Sequence, residues 1–180
     1  LPEGAKPVTT LDAADFTLDK MQSGDPVSKE KHSEYRSIVG SLMFLVLCSR
    51  PDLVTAVCIL AEQQAGPTQH AFDTAHRVLR YLLTVDDYEF RLPIQSVARN
   101  GGDVSLCLQF DANFASERAR SRGVLLVNGA CTAWYSRRQR CIVLSTTESE
   151  LIAGSVGAKE VIGIKHLLSQ TFKSLTFHAK

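Results

Sequence analysis

Two carboxylates, those of Asp111 and Glu150, have the residue type and the setting that metal-dependent chemistry requires. Asp111 ends a run of alternating apolar and polar residues at 104–111, so its side chain would emerge at the rim of a sheet. Glu150 follows about one turn into a helix that Ser145 is expected to cap. Converging carboxylates can hold paired magnesium ions, which activate water and stabilise the leaving oxygen when a phosphodiester is cleaved. We therefore expect Asp111 and Glu150 to lie close enough to share a metal ion.

Each carboxylate also has an explanation without chemistry. Asp111 is explained equally well as a turn residue that ends a strand. Glu150, taken alone, is better explained as a solvated helix residue. Glu148 completes a capping box with Ser145, and we therefore leave it out of the candidate site. Two carboxylates by themselves are thus a weak indication of a metal site.

Three arginines form the second group of candidate residues. Arg137, Arg138 and Arg140 lie beside Trp134 and Tyr135 in the sequence. Guanidinium groups in such a run could follow a nucleic-acid backbone, because phosphate contacts supply most of the affinity that is independent of base sequence. A solvated turn explains the three arginines equally well, and both interpretations stay open.

The residues that would position these groups show the two-residue period of strands. The alternation at 104–111 is followed by two apolar runs, at 123–127 and 130–136. Asn128 and Gly129 between these runs predict a tight hairpin, because both residues tolerate the positive φ of a type I′ turn. Three strands in an antiparallel meander are therefore expected.

A long helix and a last strand are expected after the meander. In this prediction residues 142–144 prolong the third strand, and the helix then begins with the capping box at 145–148 and ends near Ser169. The weak alternation at 175–178 predicts a short fourth strand. The fold class is accordingly α/β, of the α+β type, with the meander packed on the long helix.

The first half of the chain has a different pattern. Residues 1–33 are polar, contain three prolines and show no sustained period, so we expect an extended lead segment that needs a partner to become ordered. At 34–84 the period is helical, and Gly66 with Pro67 separates a second helix from a third that Thr68 would cap. The expected buried positions of the three helices are Tyr35, Val39, Leu42 and Val46, then Leu53, Val57 and Leu60, and then Phe72, Ala75, Leu79 and Leu82.

These patterns divide the chain into three parts. They are the lead segment at 1–33, a helical region at 34–95 and an α+β region at 103–180, with a flexible joint at 100–102. The sequence begins with Leu1 and does not open with a secretory signal pattern, so we expect a piece of a longer protein.

Composition excludes several classes of protein. The 180 residues are 44% hydrophobic and 22% charged, which is typical of a soluble globular protein and not of a disordered tail or a membrane protein. A net charge of +1 excludes a strongly basic chain, although seven arginines against three acidic residues make 95–145 the basic part. Five cysteines without a C-x-x-C motif indicate neither a disulfide framework nor a zinc site. We expect reduced thiols, and therefore a cytoplasmic or nuclear protein.

The order and spacing of several motifs resemble one known family. In the first half, the motifs that resemble the segment after the polymerase core of copia-type retrotransposon Pol polyproteins are YRSIVGSLMFL at 35–45, SRPD at 49–52 and AHRVLRYL at 75–82. In the second half, those that resemble the first part of that family's ribonuclease H domain are FDANFAS at 110–116, WYSRRQ at 134–139 and LSTTESELIA at 144–153. The resemblance extends over most of the chain.

The resemblance implies that the parent protein copied RNA into DNA and degraded the RNA strand of the hybrid with magnesium. Carried over residue by residue, the family's first catalytic Asp falls on Asp111 and its catalytic Glu on Glu150, which would both be metal ligands. The family's next catalytic Asp falls at or near Lys180, and its last lies further downstream, so neither is in this sequence. The region at 34–95 would then correspond to the thumb or connection of a reverse transcriptase, and 103–180 to an incomplete ribonuclease-H-like domain.

The leading interpretation is therefore a fragment of a retrotransposon Pol protein that is inactive alone and holds Mg²⁺ weakly or not at all. Its expected partners are an RNA–DNA hybrid or other nucleic acid and the remainder of the Pol polyprotein, with no membrane. One alternative is a non-catalytic nucleic-acid- or protein-binding domain derived from a retroelement. Another is a decayed reading frame without a selected function.

Overall fold

The computed structural model describes residues 7–11, 13–85, 88, 102–113, 119–172 and 175–179. The chain divides into two compact units, Leu1–Phe90 and Arg91–Lys180. The first unit is helical, and the second is a four-stranded sheet with one long helix. Within the described ranges, no helix is both long and apolar enough to cross a membrane. Of the expected joint at 100–102, only Gly102 is described, and it begins a strand.

Part of the lead segment, residues 13–22, is helical, contrary to the expectation of an extended chain. It contains a 3-10 helix, Ala13–Phe16, and a short helix α1, Leu18–Gln22. Met21 is fully buried and Phe16 nearly so, in the core of the helical unit. Their burial depends on apolar surface supplied by helices later in the chain, and such a tertiary contact leaves no periodic pattern in the segment itself.

The first long helix confirms the predicted stripe. Helix α2, Lys29–Cys48, begins where the Ser28 hydroxyl accepts a hydrogen bond from the Lys31 N–H at 3.4 Å, a normal use of serine at a helix N-terminus. Its four buried residues are Tyr35, Val39, Leu42 and Val46, as the helical spacing predicted. The remaining faces of α2 are exposed or half-buried.

Two further helices follow among the described residues of this unit. A 3-10 turn, Pro51–Leu53, leads into α3, Val54–Glu62, and α4 follows as Gln69–Thr84. The predicted stripe of Leu53, Val57 and Leu60 is buried. On α4 the predicted Phe72 and Ala75 are buried, and so are Ala71 and Val78. The predicted Leu79 and Leu82 are half-buried and pack against the same core. The smaller side chains line the side of α4 that faces the core, and the leucines flank it.

Tyr35 lies at the centre of the helical core. Its side chain is fully buried, and its hydroxyl donates a hydrogen bond to the Leu60 carbonyl of α3 at 2.7 Å. Burial raises the pKa of Tyr35 far above its ordinary value, because the charged phenolate would lose its hydration. Tyr35 therefore remains a neutral donor that joins α2 to α3.

Arg50 forms a second fixed contact in the same unit. Its Nε and Nη2 donate to the two carboxylate oxygens of Asp52 at 2.9 and 2.8 Å, the paired geometry that a planar guanidinium favours. The guanidinium also lies over the rings of Tyr81 and Tyr88, 5.6 and 4.2 Å from their centroids. The Arg50–Asp52 pair within the SRPD motif is thus a structural clamp.

Thr68 provides the first testable contact, because its hydroxyl makes two hydrogen bonds. The Oγ1 atom accepts from the Ala71 N–H at 3.2 Å, which caps α4, and donates to the Met21 carbonyl at 2.8 Å. We expect Thr68→Val to lower the free energy of unfolding by about 1–3 kcal/mol, because the shape is kept and both bonds are lost. Urea unfolding measures this, with Thr171→Val as control. Thr171 is exposed, so a loss there as large as at Thr68 would contradict the argument.

The second unit contains the predicted meander. Strands β1, Gly102–Asn113, β2, Arg120–Val127, and β3, Ala130–Arg138, are antiparallel neighbours. The turn between β2 and β3 has φ of 50° at Asn128 and 80° at Gly129, which confirms the positive-φ hairpin. The last strand β4, Leu175–Ala179, pairs in parallel with the first part of β1, so the sheet order is β3-β2-β1-β4.

Helix α5, Thr146–Thr171, packs on one face of this sheet. The Ser145 hydroxyl accepts from the Glu148 N–H at 3.1 Å, as a capping box requires. The Glu148 carboxylate, however, accepts from the Leu144 N–H at 2.7 Å, one residue before the cap. The predicted extension of β3 through 142–144 is wrong, since β3 ends at Arg138 and the main chain of Leu144 is used by the cap instead.

Glycines allow α5 to lie close to the sheet. A Cβ atom placed on Gly154 would lie 3.2 Å from the Phe110 ring, and one on Gly157 would lie 3.0 Å from the Tyr135 hydroxyl and still closer to Leu108. These contacts identify the face of the sheet that α5 covers, which includes Leu108, Phe110 and Tyr135. Alternation along the strands then assigns the intervening residues to the opposite face.

Candidate functional site

Asp111 lies near the end of β1, on the face of the sheet away from α5. Its neighbour Phe110 packs against α5, and side chains of consecutive strand residues point to opposite faces. In the sheet register Asp111 lies opposite Arg122 of β2, and the Arg122 Nη1 atom is 4.0 Å from the Asp111 Oδ2 atom. The Asp111 side chain is 65% exposed. Asp111 is thus an accessible carboxylate with a cation beside it.

Glu150 approaches the same point of β1 from the first turns of α5. Its Oε1 atom accepts a hydrogen bond from the Ala112 N–H at 3.3 Å. Ala112 follows Asp111 in the strand, so Glu150 lies beside the main chain next to Asp111. The structure therefore brings Glu150 to the strand residue after Asp111, while the Asp111 side chain is directed towards Arg122.

Gln139 positions this end of α5, a role that the sequence analysis missed. Its Nε2 atom donates to the Ser121 hydroxyl of β2 and to the Ser149 carbonyl of α5, both at 2.9 Å. Gln139 is buried between a basic turn and the helix, where a fully solvated turn residue would be exposed. Because Ser149 precedes Glu150, the amide holds the turn of helix that carries the glutamate. The only sequence signal is an uncharged residue between Arg138 and Arg140.

Asp111 and Glu150 are not part of a larger cluster of metal-ligating side chains among the described residues. Among them, no group of three or more His, Cys, Asp or Glu side chains is placed to hold a metal. Asp111 and Glu150 offer carboxylate oxygens of the type that Mg²⁺ prefers, but one is beside a guanidinium and the other accepts a main-chain hydrogen bond. Lys180, where the resemblance puts the next ligand position, lies outside the described residues. The sharing of a metal ion by the two carboxylates stays a prediction.

The three candidate arginines lie in different surroundings. The Arg137 Nη1 atom is 2.8 Å from the Glu160 Oε1 atom of α5, and its guanidinium lies 5.4 Å from the centre of the Tyr135 ring. Arg138 is half-buried on the opposite face of β3, and Arg140 is exposed in the turn that follows. The three arginines therefore do not form one continuous row. The neighbouring Tyr135 is affected as well, because burial raises its pKa and the charge of Glu160 raises it further.

Arg122 is a site residue that the sequence analysis did not select. It is the described cation beside Asp111, and its Nε atom is buried without a hydrogen-bond partner among the described residues. Such a donor is costly to leave unsatisfied, and an oxygen of a phosphate is a suitable acceptor. Arg122 lies opposite Asp111 because of the register between β1 and β2, which are separated in the sequence by residues 114–119. No local sequence pattern specifies that register.

Comparison with known proteins identifies relatives of two kinds. The chain is 32% identical over 176 residues to the retrovirus-related Pol polyprotein from transposon TNT 1-94 of Nicotiana tabacum, covering 93% of this chain and 13% of that protein. It is 31% identical over 176 residues to the retrovirus-related Pol polyprotein from transposon RE1 of Arabidopsis thaliana, covering 96% of this chain and 11% of that protein. The chain thus spans about a tenth of the length of these polyproteins.

A relative of the second kind is much shorter. The chain is 33% identical over 136 residues to secreted RxLR effector protein 161 of Plasmopara viticola, covering 73% of this chain and 92% of that protein. No family model matches the sequence, and no solved structure is significantly similar to it. The relationship to these proteins therefore depends on sequence similarity. That similarity extends through both compact units.

Proposed function

Since the chain belongs to the family of retrovirus-related Pol polyproteins of copia-type transposons, we propose that Arg91–Lys180 is an incomplete ribonuclease-H-like domain. Its function in the parent polyprotein would be cleavage of the RNA strand of RNA–DNA hybrids during reverse transcription. The helical unit Leu1–Phe90 would be the thumb or connection region of the reverse transcriptase. The remainder of the Pol polyprotein and the hybrid would be its partners.

One observation carries this proposal: the Glu150 carboxylate reaches the main chain of Ala112, directly after Asp111. These are the two positions to which the family resemblance assigns catalytic carboxylates, and they come from separate elements of the sheet and the helix. When bound, Mg²⁺ would activate water and stabilise the leaving oxygen. Asp111 and Glu150 would be ligands, and Arg122 would bind a phosphate oxygen beside them.

We expect the isolated chain to bind an RNA–DNA hybrid without cutting it. Two carboxylates offer too few ligands for paired ions, so incubation of labelled hybrid with Mg²⁺ or Mn²⁺ should give no cleavage products. Binding should weaken as salt rises, because it depends on the release of counterions from phosphates. Arg122→Gln should weaken binding several-fold and reduce the salt slope by about 1.

Lys159→Gln is the matched control, because Lys159 is an exposed cation of α5 nine positions after Glu150. It should change neither the affinity nor the salt slope. Cleavage that disappears in Asp111→Asn would show that the prediction of inactivity is wrong. Absence of hybrid binding at low salt would count against the proposed function itself.

A second candidate function rests on the near-complete match to the short relative. Because the chain covers 92% of the Plasmopara viticola protein, most of a separate protein corresponds to this stretch. We propose as the alternative a non-catalytic nucleic-acid- or protein-binding domain derived from a retroelement. Competition among hybrid, duplex DNA and single-stranded RNA distinguishes the two. Preference for the hybrid favours the ribonuclease-H-like origin of binding, whereas equal or absent binding favours the alternative.

A further inference from the structure

The helical unit contains a polar groove that the proposed function does not use. It has a volume of about 530 Å³ and lies along α2. The lining residues that could bind a ligand are Lys29, His32, Ser33, Arg36, Ser37 and Gln64. The volume is within the range of small-molecule sites, which is roughly 300–1,000 Å³. The groove belongs entirely to the unit that does not contain Asp111.

The charge of the groove is one-sided. Lys29 and Arg36 are exposed, and no carboxylate of the described residues forms an ion pair with either of them. No acidic side chain lines the groove. An anionic ligand would therefore meet two full positive charges without displacing a carboxylate of the described residues.

Neutral donors complete the site. Ser33 lies between the two cations along the helix, and Ser37 directly follows Arg36; both serines are exposed. The His32 Nε2 atom is 2.8 Å from the Gln64 carbonyl oxygen, so this nitrogen carries the proton and the ring is held against the chain that follows α3. Hydroxyl, ammonium and guanidinium donors on one surface match the oxygens of a phosphate group.

Helical spacing explains why these residues share a surface. Positions 29, 33, 36, 37 and 40 recur every three or four residues, so they form one stripe of α2. The buried residues Tyr35, Val39 and Leu42 form another stripe. Gly40 adds no side chain to the groove, and a Cβ atom there would have no neighbour within 4 Å. The stripe begins in the first turn of α2, where the helix dipole also favours a negative charge.

We propose that this groove of α2 binds phosphate groups through Lys29, Arg36 and the hydroxyls of Ser33 and Ser37. The ligand chemistry is a phosphate ester or anhydride with at least two negative charges, because two separated cations require two anionic groups or one spread anion. Two kinds of molecule carry such phosphate groups: a small pyrophosphate-like anion and the backbone of a single-stranded nucleic acid. The groove is independent of the Asp111 site, so either proposal can fail alone.

The test titrates the full chain with sodium pyrophosphate and, separately, with an oligo-dT of ten nucleotides. The amide NMR signals of α2 report binding in each titration. The double variant Lys29→Gln/Arg36→Gln should lose about tenfold in affinity for whichever probe binds, since two charge-assisted contacts are removed. The matched control Lys20→Gln/Lys159→Gln removes two exposed positive charges elsewhere and should stay within about twofold of the unaltered chain.

Each outcome decides the proposal. A loss of pyrophosphate binding in the groove variant supports it and identifies a small anion as sufficient. Binding of the oligonucleotide alone, lost in the same variant, supports it and identifies the nucleic-acid backbone as the source. Failure of both probes to shift the α2 signals overturns the proposal, as does equal weakening in the control.

Discussion

Gly123→Ala is expected to lower the free energy of unfolding of the sheet unit by about 2–3 kcal/mol, the upper part of the range for overpacked cores. A Cβ atom on Gly123 would overlap the ring and the hydroxyl of Tyr135, the residue opposite it in the register. The ring cannot move away, because Tyr135 is buried and its hydroxyl already lies against Gly157 of α5. Relief would require β3 or α5 to shift.

Trp134, the single tryptophan of the chain, lies beside Tyr135 and provides the measurement. Denaturant unfolding followed by its fluorescence should show a lower midpoint in the variant. Gly163→Ala is the matched control, because a Cβ atom on this exposed residue of α5 would meet nothing within 4 Å. It should stabilise by about 0.5–1 kcal/mol, since alanine favours helix over glycine. If both substitutions changed the free energy of unfolding in the same direction, the packing argument would be contradicted.

Tyr35→Ala should have the largest effect in the helical unit, a loss of about 3–5 kcal/mol for removing a buried aromatic side chain. Tyr35→Phe keeps the ring and removes only the hydrogen bond to the Leu60 carbonyl. That carbonyl also accepts from the Gln63 N–H at 3.0 Å, so it keeps a partner and the cost should be about 1 kcal/mol.

Amide hydrogen exchange of α2 and α3 measures both variants, because slow exchange there reports opening of the core that Tyr35 fills. The ordering is the test. If Tyr35→Phe were as damaging as Tyr35→Ala, the hydroxyl and not the ring would be the main source of stability, and the description of Tyr35 as a packed core residue would be wrong.

Elements with a single strong period were predicted well from sequence. The buried stripe of α2 and the hairpin at Asn128 and Gly129 follow from local geometry, which each residue carries wherever the chain lies. The prediction of an extended lead segment was wrong because the burial of Met21 depends on other helices. The predicted strand at 142–144 was wrong because this run is largely exposed, with Leu144 89% accessible. Its Leu144 N–H donates to Glu148 at the start of α5 instead of to a neighbouring strand.

The candidate site was predictable in its residues and less so in its geometry. Alternation already places Asp111 opposite the apolar residues of its strand, and those apolar residues are the ones that a helix covers. Two patterns must be combined to place Glu150 on that helix and Asp111 on the face of the sheet away from it. Arg122 and Gln139 act through register and burial, which depend on the whole sheet and leave no local signature.

The parallel pairing of β4 with β1 has a consequence for the order of assembly. The antiparallel neighbours are joined by connections of few residues, whereas β2, β3 and α5 all lie between β1 and β4 in the sequence. Closing such a long intervening chain costs entropy before any contact repays it. We therefore expect the fourth strand to be the last to join during folding, so that one flank of β1 is open to other chains in that interval.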